Sequence, residues 1–310
     1  MRIAGIVTAV VVSTAALHGQ ARADVSRALT AAKAGLPADA KVLVGVDFAA
    51  IQKTQLFATY YPKLHDKPDA AKVIDALKDG CKLDPVAIVQ GLVVATAGDG
   101  EDGAMYVAVQ GVDKTKLASC LQAAAKTDDK SAKVEVKNAG NITEVTKGGD
   151  TAFFGWVGKD VVVVPFHAND KSSLTKWMGG KGALAKSELG RTLAKVNTAA
   201  TIWGAAAAAK EIQPGMTARG GYGTVSYAKG SVAADVHAMM ESAAQASSMA
   251  TSANQQLDEV KKGQLPPEFT ALLKAVTIAA DQDEVRIKAN VAEKDLMGAI
   301  ASAMAIFGGP

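Results

Sequence analysis

The sequence predicts an α+β fold in two duplicated units, each an antiparallel sheet covered on one face by alanine-rich helices. Three observations lead there. Short apolar or alternating runs come in pairs, joined by turns such as Gly158-Lys159-Asp160 and Asp281-Gln282-Asp283, which is the pattern of hairpins. Between the pairs lie alanine-rich stretches with apolar residues at helical spacing. The order of elements before Gly182 then returns after it, in the manner of an internal repeat. Hydrophobic residues make up 49% of the chain and aromatic residues only 5%. Alanine buries little area per residue, so helix layers should be thin and close.

Residues 1–23 read as a secretory signal peptide. Met1-Arg2 gives a basic start, residues 3–17 an apolar run, and Ala21-Arg22-Ala23 an A-x-A cleavage site before Asp24. The run is too short to cross a bilayer. The mature protein is therefore expected to be exported, periplasmic or extracellular, with no transmembrane segment. Cleavage removes Arg2 and Arg22 and no acid, so the excess of bases over acids falls from three to one. A near-neutral chain argues against an extended nucleic-acid surface.

The first unit is expected over residues 24–182. Residues 24–34 suit a short helix, ended by Leu36-Pro37-Ala38-Asp39, and 41–48 a buried strand. Residues 51–64 suit a helix that breaks at Pro62. Pro68 opens a further helix, which carries Val73, Ile74 and Leu77 on one face and is capped by Gly80. Residues 92–95 and 105–109 form a hairpin across a Gly/Asp turn. Asp113 caps the next helix, where Leu117, Cys120 and Leu121 share the buried face. Strands follow at 133–136, 142–145, 153–157 and 161–164. A helix with Leu174, Trp177 and Met178 on one face closes the unit, and Gly179-Gly180-Lys181-Gly182 reads as a linker.

The second unit, 183–310, opens with a helix over 187–196 and a strand at Thr201-Ile202-Trp203. A hairpin joins 224–228 to 231–237. A long helix over 241–262 ends at Gly263, and Pro266-Pro267 starts a short one. A hairpin pairs 276–280 with 285–289, and the last helix carries Leu296, Ala299, Ile300, Ala303 and Met304.

Cys81 and Cys120 are the only cysteines. In an exported protein they are expected to form a disulfide, which would stabilise by about 4 kcal/mol in the chain-entropy account. Leu36-Pro37-Ala38-Asp39, Cys81-Lys82-Leu83-Asp84-Pro85 and Gly111-Val112-Asp113 resemble segments of exported myxobacterial-type bacterial proteins of unknown function. That resemblance implies export and a paired-cysteine α+β fold, and it carries over no catalytic residue.

The chain carries few residues in patterns that signal catalysis or metal binding. His65, His167 and His237 have no second ligand at a metal spacing. His65 sits with Asp66 and Asp69 in a Pro-containing connection. His237 shares a strand face with Asp235, away from Val232, Ala234 and Val236, which reads as a surface histidine. Asp99, Glu101 and Asp102 suit a solvated hairpin tip better than a calcium loop. The stretch 180–187 imitates a phosphate loop, but Ala185 stands where glycine is needed and a helix precedes it. The stretch 219–225 imitates a kinase glycine loop without the partner motifs. Both read as linkers. No catalytic residue, cofactor or metal is expected. The expected function is a non-catalytic envelope or periplasmic binding or assembly protein for an apolar ligand or an envelope protein, using free sheet faces lined with apolar side chains. The alternatives are a periplasmic hydrolase with a dispersed active site, or a membrane-surface protein using its C-terminal helix.

Overall fold

In a computed structural model of the protein, the described residues are 24–307 except 65, 68–70, 72, 73, 99, 101, 129–133, 167–169, 214, 215, 229 and 264. The expected signal peptide lies outside them, as do His65, His167, Asp69, Asp99 and Glu101. The protein is α+β. It divides into two compact units, one of the residues up to Lys53 with Phe57–Arg191, the other of Thr54–Leu56 with the residues from Thr192 onward.

In the first unit, helix α1 (Asp24–Gly35) leads into β1 (Ala40–Asp47), the hairpin β2 (Val89–Ala97) and β3 (Asp102–Val109), and helix α2 (Lys114–Asp128). Strands β4 (Val134–Ala139), β5 (Ile142–Lys147), β6 (Asp150–Val157) and β7 (Val161–Phe166) follow, then helix α3 (Lys171–Met178). The sheet order is β1-β2-β3-β7-β6-β5-β4, antiparallel at every pair.

Every residue of β3 from Gly103 to Val109 is buried. Successive side chains on a strand point to opposite faces, so both faces of this sheet are covered. On one face α1 lies against β2 and β3. Its Val25, Ala28, Leu29 and Ala32 recur at helical spacing, and all are buried. Beside it α3 buries Leu174 and Trp177, and the Tyr106 hydroxyl donates to the Trp177 carbonyl. On the other face Met105, Val107 and Val109 join Leu92, Phe154 and Trp156 in a core against which Leu117 of α2 packs. The first unit therefore carries a second cover, beyond the single layer expected.

That second cover holds the disulfide. Cys81 and Cys120 are bonded across a sequence separation of 39. They lie in a cluster with Leu77, Leu83 and Val112. Gly80 does not cap the preceding helix as expected. A π-helical turn, Ala76–Gly80, carries the chain one residue further. The left-handed position falls on Lys82, with φ of 51°. Leu83 N–H then closes the end on the Leu77 carbonyl at 3.1 Å, and the two leucines pack together, as such ends favour.

Two other expectations change. The helix expected over 51–64 is three short turns, Phe48–Ile51, Gln55–Tyr60 and Pro62–Leu64, the first capped by Asp47 accepting from Ala50 N–H at 3.0 Å. The glycine run at 179–182 is not a free linker. Gly180 and Gly182 donate to the Gly35 and Ala34 carbonyls at 2.9 Å each, and a side chain at Gly180 would come within 1.9 Å of the Leu36 carbonyl oxygen. The run is thereby fastened to the end of α1, and the unit continues to Arg191.

In the second unit β8 (Ile202–Ala206) and β9 (Lys210–Gln213) pair in succession along one edge of the long strand β10 (Met216–Ala228). Next come β11 (Ser231–Met240), helices α4 (Ala243–Lys262) and α5 (Pro267–Lys274), the hairpin β12 (Thr277–Asp281) and β13 (Glu284–Ala292), and helix α6 (Glu293–Phe307). The sheet order is β8-β10-β11-β13-β12. The first unit has the same arrangement in β1-β2-β3-β7-β6: a lone strand, a hairpin, helix, a second hairpin docked by its later strand, and a final helix. Its β4–β5 hairpin is the addition.

The sequence missed β9 and half of β10. Arg219 to Gly223, expected as a linker, is central strand. Gly220 sits where the register shifts against β11, the position at which a strand glycine marks a bulge.

Two outcomes are expected. The double replacement Cys81→Ser with Cys120→Ser should lower unfolding free energy of the first unit by about 4 kcal/mol. Urea unfolding followed through Trp156 and Trp177 would read this, and an unchanged midpoint would contradict it. Gly180→Ala should cost about 1–3 kcal/mol through overpacking and lower the same transition.

Candidate functional site

The site is set by register. Across β10, β11 and β13 the in-register rows are Tyr222, His237 and Arg286; then Thr224, Asp235 and Lys288; then Ser226, Ala233 and Asn290. Thr277 of β12 extends the second row beside Lys288. Residues directly opposite in antiparallel strands share a face, so all of these project from one side. Val232, Ala234, Val236 and Ala238 alternate onto the other side. There α4 packs Ala246 and Ala250 over Met240 and Val285, while the cross-strand pair Val236 and Ile287 stays 42% and 38% exposed.

On the polar face, Glu284 is the centre of a network. Its Oε1 accepts from Lys195 Nζ at 2.6 Å. Its Oε2 accepts from the Tyr222 hydroxyl at 2.8 Å and stands 2.9 Å from His237 Nδ1. His237 Nε2 lies 3.2 Å from Asp235 Oδ1. Arg286 grips Asp235 with two parallel bonds, of 2.8 and 2.5 Å, the strong bidentate form. Tyr222 stacks on His237, with ring centroids 4.4 Å apart. His237 is on the face the sequence assigned it, but it is not a surface histidine. Its side chain is 12% exposed, because the Tyr222 ring covers it.

The charges respond to this packing. Burial alone would raise the Glu284 carboxyl, but the hydrogen bonds from Lys195, Tyr222 and His237 outweigh it and hold the group below its ordinary value. The Arg286 hydrogen bonds hold Asp235 below the usual range, against a smaller opposing effect of burial. Burial, then the Glu284 hydrogen bond, pushes the Tyr222 hydroxyl up.

Below the network the same face sinks into an open depression of about 410 Å³, lined by Thr224, Ser226, Ala233, Asp235, Thr277, Lys288 and Asn290 among others. The concavity follows from size: short Thr, Ser and Ala side chains lie next to the tall Tyr222–His237–Arg286 row. The lining is mixed: Ala233, Ala275 and further alanines lie among the hydroxyls, Asp235, Lys288 and Asn290, where the sequence led to an expectation of apolar side chains.

Of the residues singled out from sequence, Asp235 and His237 are brought together here, and Cys81 and Cys120 form the disulfide in the first unit. The imitation phosphate loop is helical: residues Ala183–Lys186 form a 3₁₀ turn, and Ser187 Oγ accepts from Gly190 N–H at 3.0 Å as a helix cap. Sequence reasoning missed Lys195, Tyr222, Glu284, Arg286 and Lys288. Their alternation on β13 was a usable signal, since Glu284, Arg286, Lys288 and Asn290 all stand two apart. Among the described residues no group of three or more His, Cys, Asp or Glu is arranged to hold a metal ion.

No protein-family model matches the chain, and no curated protein is similar to it. Among solved structures, crystal forms III, IV and I of TP0453 are similar at 9%, 8% and 9% sequence identity. The matches cover 88%, 87% and 88% of this chain and 97%, 95% and 96% of those chains, with TM-scores of 0.48, 0.46 and 0.46. At that level the likeness assigns neither a site nor a function.

The network makes stability depend on pH with a definite sign. Both carboxyls titrate lower in the folded chain than in the unfolded one. Their contribution is thus present above the unfolded values of about 4 and is lost as pH falls through the folded ones. Glu284→Gln should flatten the fall in unfolding free energy between about pH 5 and pH 3 and cost about 1–3 kcal/mol at neutral pH. Urea titrations at stepped pH would check it; an unaltered slope in the variant would refute the assignment.

Proposed function

We propose that this protein is an exported, non-catalytic binding protein of the envelope or periplasm, and that it binds on the polar face of the second sheet. The observation that carries this reading is the open depression built into that face beside a rigid ion-pair network. Sites placed on strands and locked by neighbouring hydrogen bonds are suited to holding a ligand in one geometry. Export is supported by the sequence of residues 1–23, by the resemblance to exported myxobacterial-type proteins and by the Cys81–Cys120 disulfide, which suits an oxidising compartment. The repeated order of elements supports an origin by duplication, in which the second unit kept an open face.

At His237 the same geometry disfavours the hydrolase alternative. A catalytic histidine needs one ring nitrogen toward a nucleophile and the other toward its orienting group. His237 has a carboxylate at each nitrogen. The membrane-surface alternative asks the last helix to be free. Instead α6 lies against α5 and β13, and the Ser302 hydroxyl donates to Glu268. Among the described residues no helix is long and apolar enough to cross a membrane.

Native mass spectrometry of the mature chain from Asp24, purified from a periplasm, tests the reading. A carried molecule lost on denaturation is the expected result. A bare chain that also fails to retain any component of a periplasmic extract would overturn it. The denatured mass should fall short of the reduced chain by two hydrogens.

A further inference from the structure

The depression on the second sheet has a chemistry of its own, and its ligand class follows from which of its groups are already engaged. Asp235 lines it, yet both carboxylate oxygens are taken by Arg286, and one is also approached by His237. Glu284, above the depression, is matched by Lys195. The acids of this face are therefore each paired with a cation. Lys288 stands opposite Asp235 in register, but makes no hydrogen bond or ion pair with it or with any other described residue, and it is exposed. The Thr224, Ser226 and Thr277 hydroxyls likewise make no side-chain hydrogen bond among the described residues. Asn290 commits its carbonyl oxygen to the Ser231 hydroxyl at 2.7 Å, which leaves its amide N–H₂ as a donor.

The result is one uncommitted ammonium, three hydroxyls able to donate or accept, and an amide donor, around a floor of alanine. A neutral apolar ligand would leave all of these unmatched, and a cation would meet Lys288. The groups match a molecule with one negative charge and several hydroxyls, and a volume of about 410 Å³ admits a single sugar ring with room for bound water. Next to Thr224 across the β8–β10 ladder stands Trp203. It is buried, and its indole Nε1 finds no hydrogen-bond partner among the described residues. The Trp156 indole in the first unit is in the same state, so Trp203 serves as a reporter next to the depression.

We infer that the depression formed by Thr224, Ser226, Thr277, Lys288 and Asn290 binds a sugar acid, its carboxylate on the Lys288 ammonium and its hydroxyls on the three side-chain hydroxyls and the Asn290 amide. This rests on the reading of the chain as a binding protein and gives that reading a ligand class.

The test is a titration of ¹⁵N-labelled mature protein with glucuronate, followed by amide and tryptophan-indole resonances. Glucose and acetate serve as probes lacking the charge or the hydroxyls. Glucuronate should shift the Thr224, Ser226 and Lys288 amides and the Trp203 indole, and leave Trp156 and Trp177 of the first unit in place. Glucose and acetate should each bind at least about tenfold more weakly. Lys288→Gln should weaken glucuronate by about tenfold or more, and Thr224→Val with Ser226→Ala should do so by removing hydroxyls alone. Two lines of variants guard against an effect of altered folding, which the unchanged Trp156 and Trp177 resonances would also reveal. No shift at these positions up to about 50 mM, equal binding by acetate, or full binding by Lys288→Gln would each overturn the inference. If the protein from the periplasm carries a molecule while glucuronate leaves the depression undisturbed, the ligand class is wrong and the binding role stands. A bare protein that retains nothing from a periplasmic extract and shows no shift removes both.

Discussion

Glu284 accepts hydrogen bonds from Lys195, Tyr222 and His237 while only 13% exposed. That convergence holds the second unit's polar face together. A carboxylate so placed is costly to bury, and it stays ionised only because three donors reach it at once. They come from β10, from β11 and from the segment ahead of β8, so the group can be satisfied in one register of β10, β11 and β13 and no other. Shifting a strand by one residue would turn Tyr222 or His237 to the opposite side and leave the charge unmatched. The network's main effect is therefore on specificity of pairing rather than on net stability, which buried ion pairs supply weakly. The depression depends on it, because its upper wall is the Tyr222–His237–Arg286 row.

The two units use one order of strands and helices to different ends. In the first, α1 and α3 take one face and α2 with the disulfide-bearing turn takes the other, so that β3 is buried along its whole length. Its central strand therefore has no free face. In the second, α4 covers part of the apolar face, and the polar face keeps Thr, Ser, Asn and Lys side chains at the surface. The difference lies in the side chains of the strands: nearly continuous apolar runs in β3 and β7, but apolar and polar residues alternating over much of β11 and β13.

Much of the architecture was legible because local chemistry and tertiary structure agree. The strands around Val93, Tyr106 and Val163 are short apolar runs bounded by turn residues, and they appear where the pattern puts them. Asp113 caps its helix by accepting from Lys116 N–H at 2.8 Å, and Cys120 lies on the buried face that helical spacing assigns it. Several of the failures share one cause. Gly180, Gly220, Gly221 and Gly223 look like linker residues, since glycine is weak in helix and strand alike. In the folded protein they are where one backbone approaches another closely, and absence of a side chain is the reason they are there. Gly80 failed differently: the π-helical turn moved the left-handed position onto Lys82.

The sequence by itself determined the α+β class, the pairing of the two cysteines and the face shared by Asp235 and His237. The class and the shared face follow from periods of two or 3.6 residues along single segments, and the cysteine pairing from there being only two. Only the tertiary structure decided that Lys195, Tyr222 and Glu284 would enclose His237, that Arg286 would occupy Asp235, and that Lys288, opposite Asp235, would make no hydrogen bond or ion pair among the described residues. These residues lie up to 93 positions apart between Lys195 and Lys288. No local period relates them. Cross-strand register does, and register is settled by which long-range pairing satisfies the buried charge.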